Sequence, residues 1–337
     1  MMRFLSLGLG LCCLMPLSVA AQSVADFYKG KQIQLRVGSA VGGGYDLAGR
    51  VIAAHINKYI PGNPNIIVQN VLGAGSLVLT NQLANAAPKD GTVIGLVTNG
   101  MPTAPLLTPD QAKFDMSKFH WIGSPAPEAQ IVMVWRTAPA MTLKDLFTME
   151  TTVGATAPGT AIYDVPVVMN ALMGTKFKVI SGYEGTAQID LAMERGEVHG
   201  YGAQGWGSAK TRNMAQIQKG DMRILVQYGT KKHPDLPDVP LYDLPQNEVD
   251  RQGLLLMFSR QEFGRPLVFP EGVPADRVAA LRKAFQDTMK DPAFRAEATK
   301  AGLEINPTSG EELEALNVQI MKTGPQAVER VRKLLTQ

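Results

Sequence analysis

One pattern recurs along this chain: a short apolar strand, a glycine-rich turn, then the start of a helix. Its first instance is Val37–Arg50, which reads Val-Gly-Ser-Ala-Val-Gly-Gly-Gly-Tyr-Asp-Leu-Ala-Gly-Arg. Before it, Ile33, Leu35 and Val37 alternate with Gln34 and Arg36, the period-two signature of a strand. After it, Leu47, Val51 and Ala54 follow helical spacing. Gly42, Gly43 and Gly44 lie between, where a turn without side chains lets a ligand approach main-chain N–H groups. The helix start that follows adds partial positive charge. Such a turn either holds an anion, a carboxylate or a phosphate, or simply joins strand to helix with Asp46 favouring the first turn.

The pattern repeats at Asn65–Asn70 with Gly73-Ala74-Gly75-Ser76, and Thr92–Thr98 ends at Asn99-Gly100. This β-α-β-α-β order with short connections predicts a parallel sheet flanked by helices. Ligands of such sheets sit beyond the carboxyl ends of the strands, so the three loops are expected to share one edge. Pro125 and Pro127 divide two short β-like runs, Trp121–Ser124 and Gln130–Trp135, and a crossover to a second domain is expected there. A helix is expected over Thr142–Phe147, capped by Thr142. Strands at Thr152–Ala155, Phe177–Ser181 and Glu197–Tyr201 then precede glycine-bearing loops at 157–160, 182–186 and 202–207. Met222–Gln227 is a further strand, leading back to the first domain.

Thr230–Pro245 holds four prolines and reads as an irregular connection, and Leu254–Phe258 as a strand or hinge. The remainder is helical. Ser309 and Glu312 have capping-box spacing, and Leu281, Phe285 and Met289 form a core-facing stripe. The scattered methionines are read as core fillers.

Residues 1–21 read as a cleavable secretory signal: Arg3, the apolar run Phe4–Val19, and small residues at Val19-Ala20-Ala21. Removing 21 of the 337 residues leaves 316, enough for two domains. Both cysteines, Cys12 and Cys13, fall inside the signal, so the mature chain is expected to have no disulfide, as suits a large, well-packed exported protein. A net charge of +3 gives no reason to propose a nucleic-acid partner.

The motifs of several enzyme classes are missing. The four histidines, His55, His120, His199 and His233, have no metal-ligand spacing, so no metal is expected. There is no G-x-S-x-G elbow, no P-loop, and no complete dinucleotide fingerprint. No cofactor and no enzymatic activity are expected. The rival from that class is an exported hydrolase or isomerase using Asp46 or Glu184.

Five motifs, in order, carry a resemblance. Val41-Gly42-Gly43-Gly44-Tyr45-Asp46-Leu47-Ala48-Gly49-Arg50 resembles the P-G-G-x-x-D-x-x-A-R signature of the Bug receptors, the periplasmic solute-binding proteins of tripartite tricarboxylate transporters. Gln69–Ser76 is similar to their N-x-P-G-A-G-G loop, and Pro88–Thr92 to their A-x-P-D-G-Y-T element. Tyr183–Gln188 matches their Y-K-G-x-A-x loop and Gly196-Glu197-Val198 their G-x-V/I turn. Val41 and Leu72 stand where the family often has prolines, and Ser76 replaces a glycine.

The resemblance implies an α/β, two-lobed Venus flytrap of type II-like organisation, each lobe a mixed sheet flanked by helices. Residues 22–125 and 230–337 would form one lobe and 126–229 the other. It implies a periplasmic, monomeric receptor that binds a small organic acid through main-chain N–H groups, hydroxyls and bridging waters. Its partners would be integral-membrane transporter subunits, contacted transiently; a sensor kinase is the alternative.

The candidate ligand residues of the first lobe are Gly43, Gly44, Tyr45, Asp46, Gly73, Ala74, Ser76, Thr98 and Asn99. Those of the second are Pro158, Gly159, Thr160, Tyr183, Gly185, Thr186, Gln204 and Trp206. The Ser76 hydroxyl points either into the cleft or back as a cap, and Thr160 and Thr186 serve either a ligand or a helix start. Trp206 either stacks on a planar ligand or packs in the core. Arg50 is assigned to a salt bridge or the surface. Tricarboxylates, dicarboxylates, aromatic acids, amino acids and neutral amides all remain open as ligands.

Overall fold

The computed structural model describes residues 22–229 and 231–336; the expected signal segment lies outside them. The first half of the chain builds α1 (Val24–Tyr28), β1 (Gln32–Val37), α2 (Gly44–Ile56), β2 (Asn65–Asn70), α3 (Leu77–Asn85), β3 (Val93–Leu96), α4 (Ala104–Leu107) and β4 (His120–Ser124). There follow β5 (Gln130–Trp135), β6 (Thr151–Gly154), α5 (Ala161–Met173), β7 (Phe177–Ile180), α6 (Thr186–Glu194), β8 (Gly200–Gly205), α7 (Trp206–Lys219) and β9 (Met222–Gln227). The last part holds α8 (Glu248–Phe263), β10 (Leu267–Phe269), α9 (Ala275–Lys290), α10 (Pro292–Lys300), β11 (Thr308–Ser309), α11 (Gly310–Ile320) and α12 (Pro325–Leu335).

Two mixed sheets result. The first has the order β11-β4-β10-β3-β1-β2, with β1 parallel to both β2 and β3 and β10 antiparallel between β3 and β4. The second has the order β7-β6-β8-β5-β9, with β6 parallel to β7 and β8, and β5 antiparallel to β8 and β9. The chain leaves the first sheet after β4, builds the second contiguously, and returns with β10.

Alternation decides which faces are buried. Ile33, Leu35 and Val37 of β1 are enclosed between the sheet and α2 and α9, where Leu281, Phe285 and Met289 join them. Each such side chain contributes on the order of 2 kcal/mol of transfer free energy. A separate cluster under α6 and α7 includes Ile189, Met193, Tyr201 and Trp206. The third cluster joins the lobes: Leu79 of α3, Val97 just after β3 and Trp121 of β4, with Val132 of β5, Val153 of β6 and Val165 of α5, share a core with Leu254, Met257 and Phe258 of α8 and Val328 and Val331 of α12.

Several expected elements differ. Leu254–Phe258 is the middle of α8, whose Asn247 cap accepts from the Asp250 N–H. That helix is buried around most of its girth, so its apolar run shows no 3.6-residue stripe. Thr142–Phe147 supplies only a 3₁₀ turn at Asp145–Phe147, because the Asp145 carboxylate accepts from the Met141 and Thr142 N–H groups and closes the turn. The strand expected at Glu197–Tyr201 runs instead from Gly200 to Gly205. Its glycines serve close packing: a Cβ on Gly200 would overlap the Met133 carbonyl, and one on Gly202 would meet Pro166. The capping box at Ser309 and Glu312 is present as expected.

Candidate ligand site between the lobes

The loops after β1, β2 and β3 are bound into one edge, as the parallel order requires. Asn70 Nδ2 donates to the Ser39 carbonyl (2.9 Å) and to Asp46 Oδ1 (2.9 Å). Asp46 also accepts from the Gly42 N–H (2.9 Å) and from Arg50 Nε (3.0 Å). Burial works against its charge, yet the bonds from Arg50, Gly42 and Asn70 outweigh it and hold the carboxyl below the ordinary carboxylate range. Ser76, fully buried at φ 85°, accepts from the Thr98 N–H (3.3 Å), and Thr98 Oγ1 donates to the Gly75 carbonyl (2.7 Å). A Cβ on Gly38 would overlap the Ser76 hydroxyl, so Gly38 is glycine because Ser76 fills its place. Tyr45 accepts from the Asn99 N–H (3.1 Å) and donates to the Gly264 carbonyl (3.0 Å), and burial pushes its phenol well above the ordinary value.

The second lobe offers the ends of β6, β7 and β8. Gly159, at φ 89°, donates its N–H to Asp164 Oδ1 (2.9 Å). Thr160 Oγ1 donates to the Ala157 carbonyl (2.6 Å) and lies 3.1 Å from Thr156 Oγ1. The Gly182 N–H reaches the Thr156 carbonyl (3.1 Å) and joins the β6 and β7 loops.

These two edges meet. A Cβ on Gly75 would lie 2.8 Å from Thr160 Cγ2, and one on Gly100 would overlap the Gly159 carbonyl. One on Gly185 would lie 3.3 Å from Ala40 Cβ, and one on Gly44 would overlap Ser208 Oγ. Arg212 of α7 donates to the Gly42 carbonyl across the gap (3.2 Å) while pairing with Asp190. The lobes are therefore closed on each other, with glycines at the points of closest approach.

Five helices begin at this junction: α2, α3, α5, α6 and α7. None is capped by the side chain of its own N-cap residue, although at α3 the Ala74 and Gly73 carbonyls accept from the Leu77 and Val78 N–H groups, and at α7 the Ala129 carbonyl and the Glu128 carboxylate accept from the Trp206 and Ser208 N–H groups. Elsewhere Ser23, Asn247, Asp291 and Ser309 cap their helices, while α4, α9 and α12 also lack a side-chain cap. Uncapped first-turn N–H groups want acceptors. Polar side-chain atoms enclosed and without a partner at the junction include Ser39 Oγ, Thr186 Oγ1, Gln204 Nε2, Arg212 Nε and Arg265 Nε.

Two buried ion pairs lie beneath. Arg260 of α8 reaches Asp164 (2.6 Å) and donates through Nε to Thr103 Oγ1 (2.7 Å). Arg265 pairs with Glu128 (2.5 Å) and donates to Ser208 Oγ (3.1 Å). All four charged residues are at most 4% exposed.

The expected site residues thus divide. Gly43, Gly44, Gly73, Ala74, Gly159, Gly185 and Thr186 lie on the facing loops and helix starts, and Gln204 at the end of β8. Tyr45, Asp46, Ser76, Thr98, Asn99 and Thr160 are held on the same edges, but their polar groups brace the loops. Neither Thr160 nor Thr186 caps its helix, and Ser76 points to Thr98, not to the cleft. Pro158 lies at the contact with Gly75, and Tyr183 is half-buried against the α6–α7 core. Trp206 packs in that core and donates Nε1 to Asp235 Oδ2 (3.1 Å). Arg50 pairs with Asp46, as assigned. Ser39, Ser208, Arg212, Arg260 and Arg265 were not singled out; only Ser39 lies in a motif that pointed to it.

Cavities of about 620 Å³ beside His120 and Glu314 and about 430 Å³ beside His233 and Ser259 lie away from these loops. Among the described residues no cluster of His, Cys, Asp and Glu could hold a metal, and no helix is long and apolar enough to cross a membrane.

Two α/β lobes that close glycine loops and helix starts on each other define the fold of two-domain periplasmic binding proteins. A family model described as the tripartite tricarboxylate transporter family receptor matches residues 49–330, and the chain belongs to that family. It is similar to the structure of the periplasmic binding protein BugD, at 24% identity and a TM-score of 0.70, over 91% of this chain and 98% of that one. It is similar to MatC from Rhodopseudomonas palustris, solved with bound malate, at 20% identity and a TM-score of 0.69, over 90% and 99%. Rpa4515 from R. palustris, solved with adipate, gives 18% identity and 0.69, over 91% and 97%. A protein from Cupriavidus necator, the UPF0065 protein in the gbd 5' region, is 26% identical over 85% of this chain and 83% of its own length.

Proposed function

We propose that this chain is an exported, monomeric receptor that captures a small organic carboxylate between its lobes and hands it to membrane subunits of a tripartite transporter. The lobes would be residues 22–125 with 230–337, and 126–229. One observation carries the reading: the helix starts of α2, α5 and α6, none capped by a side chain, converge on one closed junction beside unpartnered Ser39, Thr186 and Gln204. A carboxylate supplies the acceptors those donors lack, and helix starts favour its charge. Malate in MatC and adipate in Rpa4515 are consistent with this chemistry. Gly43, Gly44, Gly73, Ala74, Gly159 and Gly185 let the ligand approach the main chain, while Tyr45, Asp46, Ser76 and Thr98 hold the loops in place. Residues 1–21 direct export.

The test is thermal unfolding of Gln22–Gln337 against a carboxylate panel. A ligand at a hundred times its Kd stabilises the native state by about 2.7 kcal/mol, a readily measured rise in Tm. Thr186→Val is expected to weaken binding at least tenfold with little change in the Tm of the free protein. Absence of any carboxylate effect, with none released on denaturation and found by mass spectrometry, overturns the reading.

A further inference from the structure

Among the bonds that cross the junction, one guanidinium ties a loop of the first lobe to a helix start of the second. Arg212 of α7 donates through Nη1 to the Gly42 carbonyl (3.2 Å) and through Nη2 to Asp190 Oδ2. The Gly42 residue is held from both sides, because its N–H donates to Asp46 Oδ2 (2.9 Å). Asp190 lies one turn inside α6 and is fixed in its turn. The hydroxyl of Tyr201, a fully buried residue, donates to Asp190 Oδ1 (2.6 Å) and lies 2.8 Å from the Thr186 carbonyl. The path Gly42–Arg212–Asp190–Tyr201–Thr186 thus joins the loop before α2 to the first residue of α6.

The same helix crosses to the first lobe twice more. Thr211 Oγ1 lies 3.3 Å from the Gly302 carbonyl, and Lys210 Nζ lies 3.7 Å from Glu304 Oε2. Both are divided: Thr211 is closer to the Gly207 carbonyl (2.9 Å) and Lys210 to Asp235 (2.7 Å). The Arg212 bond is of another kind. Its donor is charged, its side chain is 18% exposed, and the planar fork serves Gly42 and Asp190 at once. It joins protein atoms alone, and it breaks when the lobes part.

We propose that Arg212 is a latch: a positioning residue that shifts the free protein toward its closed form by acting on the Gly42 loop and α6. A ligand's apparent affinity then rises with the fraction of protein already closed. This inference rests on the receptor reading above, and its test is run without ligand so that the two can fail separately.

Both cysteines of the sequence, Cys12 and Cys13, lie in the expected signal, so Gln22–Gln337 takes spin labels only at introduced cysteines. Gln82→Cys in α3 and Glu194→Cys in α6 are exposed, and their helices follow β2 and β7, the edge strands remote from the chain crossings at β4, β5, β9 and β10. Protein stripped of bound molecules by unfolding and refolding is measured by double electron–electron resonance, which resolves closed and open distances as separate populations. The labelled protein is expected to show a closed population. Arg212→Met is expected to lower the closed-to-open ratio about tenfold, the effect of losing one charge-assisted bond. Tyr201→Phe, which loosens Asp190, should lower it less. Arg212→Met/Asp190→Asn removes the charge of both partners and keeps the test open should the single variant not fold. Arg195→Met takes the same charge from an exposed pair with Glu197 in the same lobe and is expected to leave the ratio unchanged. A labelled protein that is wholly open overturns the proposal. So does a fall of less than threefold in the Arg212 variants, or an equal fall in Arg195→Met. Each of these outcomes leaves the receptor reading intact, since that reading stands or falls on the carboxylate panel.

Discussion

Replacing Arg260 by Met would test whether the buried ion pair between the lobes carries stability. The Arg260 and Asp164 side chains are each 2% exposed, with 2.6 Å between Nη1 and Oδ2. Arg260→Met keeps most of the volume but leaves the Asp164 carboxylate buried with only the Gly159 N–H as a neutral partner. Removing one member of a buried pair costs about 3–5 kcal/mol, most of it the penalty of the charge left behind. At roughly 2 °C per kcal/mol for a chain of this size, the Tm should fall by about 6–10 °C. The double variant Arg260→Met/Asp164→Leu removes both charges. It forfeits the bond to Gly159, worth about 1 kcal/mol, yet should recover most of the loss. Urea unfolding of the wild type, both single variants and the double variant closes the cycle. A loss below about 1 kcal/mol for Arg260→Met, or a double variant as unstable as the two single losses summed, would refute the argument.

Gly100→Ala places a methyl group against the Gly159 carbonyl across the junction, so it should hold the lobes apart; small-angle scattering is expected to give a larger radius of gyration than wild type. Ser76→Ala removes the acceptor of the Thr98 N–H in a fully buried place and should cost about 1–3 kcal/mol, read from the urea midpoint. Asp46 has a folded-state pKa below its unfolded value, so its contribution is complete above about pH 4 and is lost as the pH falls through the folded value. The stability gap between wild type and Asp46→Asn should therefore narrow steadily below about pH 4, and a gap that widens on acidification would contradict the bracing role.

Most of the fold could be read locally. The Ile33-Leu35-Val37 alternation, the glycine turns and the Ser309 capping box each depend on a few neighbouring residues, and the parallel order of β1, β2 and β3 follows from short connections. The facing loops were legible for the same reason. Side-chain roles within them were not. Whether Ser76 turns to the cleft or to Thr98 depends on Gly38, across the strand edge, having no Cβ. Trp206 packs because Asp235, far along the chain, takes its indole N–H. Arg260 and Arg265 carry no local signal at all, since their acids lie 96 and 137 positions earlier, at Asp164 and Glu128. α8 was missed because burial on nearly every side erases the stripe by which a helix is recognised.

The place of β10 sets an order of assembly. β10 lies between β3 and β4, yet its residues 267–269 are made long after both. Until they arrive, the first sheet is split, with β3 and β4 each offering an unpaired inner edge. The second sheet has no such gap, because all its strands fall between residues 130 and 227. It can form while the chain is still lengthening, and closing its loops costs less entropy. The second lobe should therefore become protected from hydrogen exchange first, and the first lobe in a later, slower phase. A chain cut before residue 267 would lose α12, which packs on α5 of the second lobe, and would expose two strand edges, which are open to pairing with other chains.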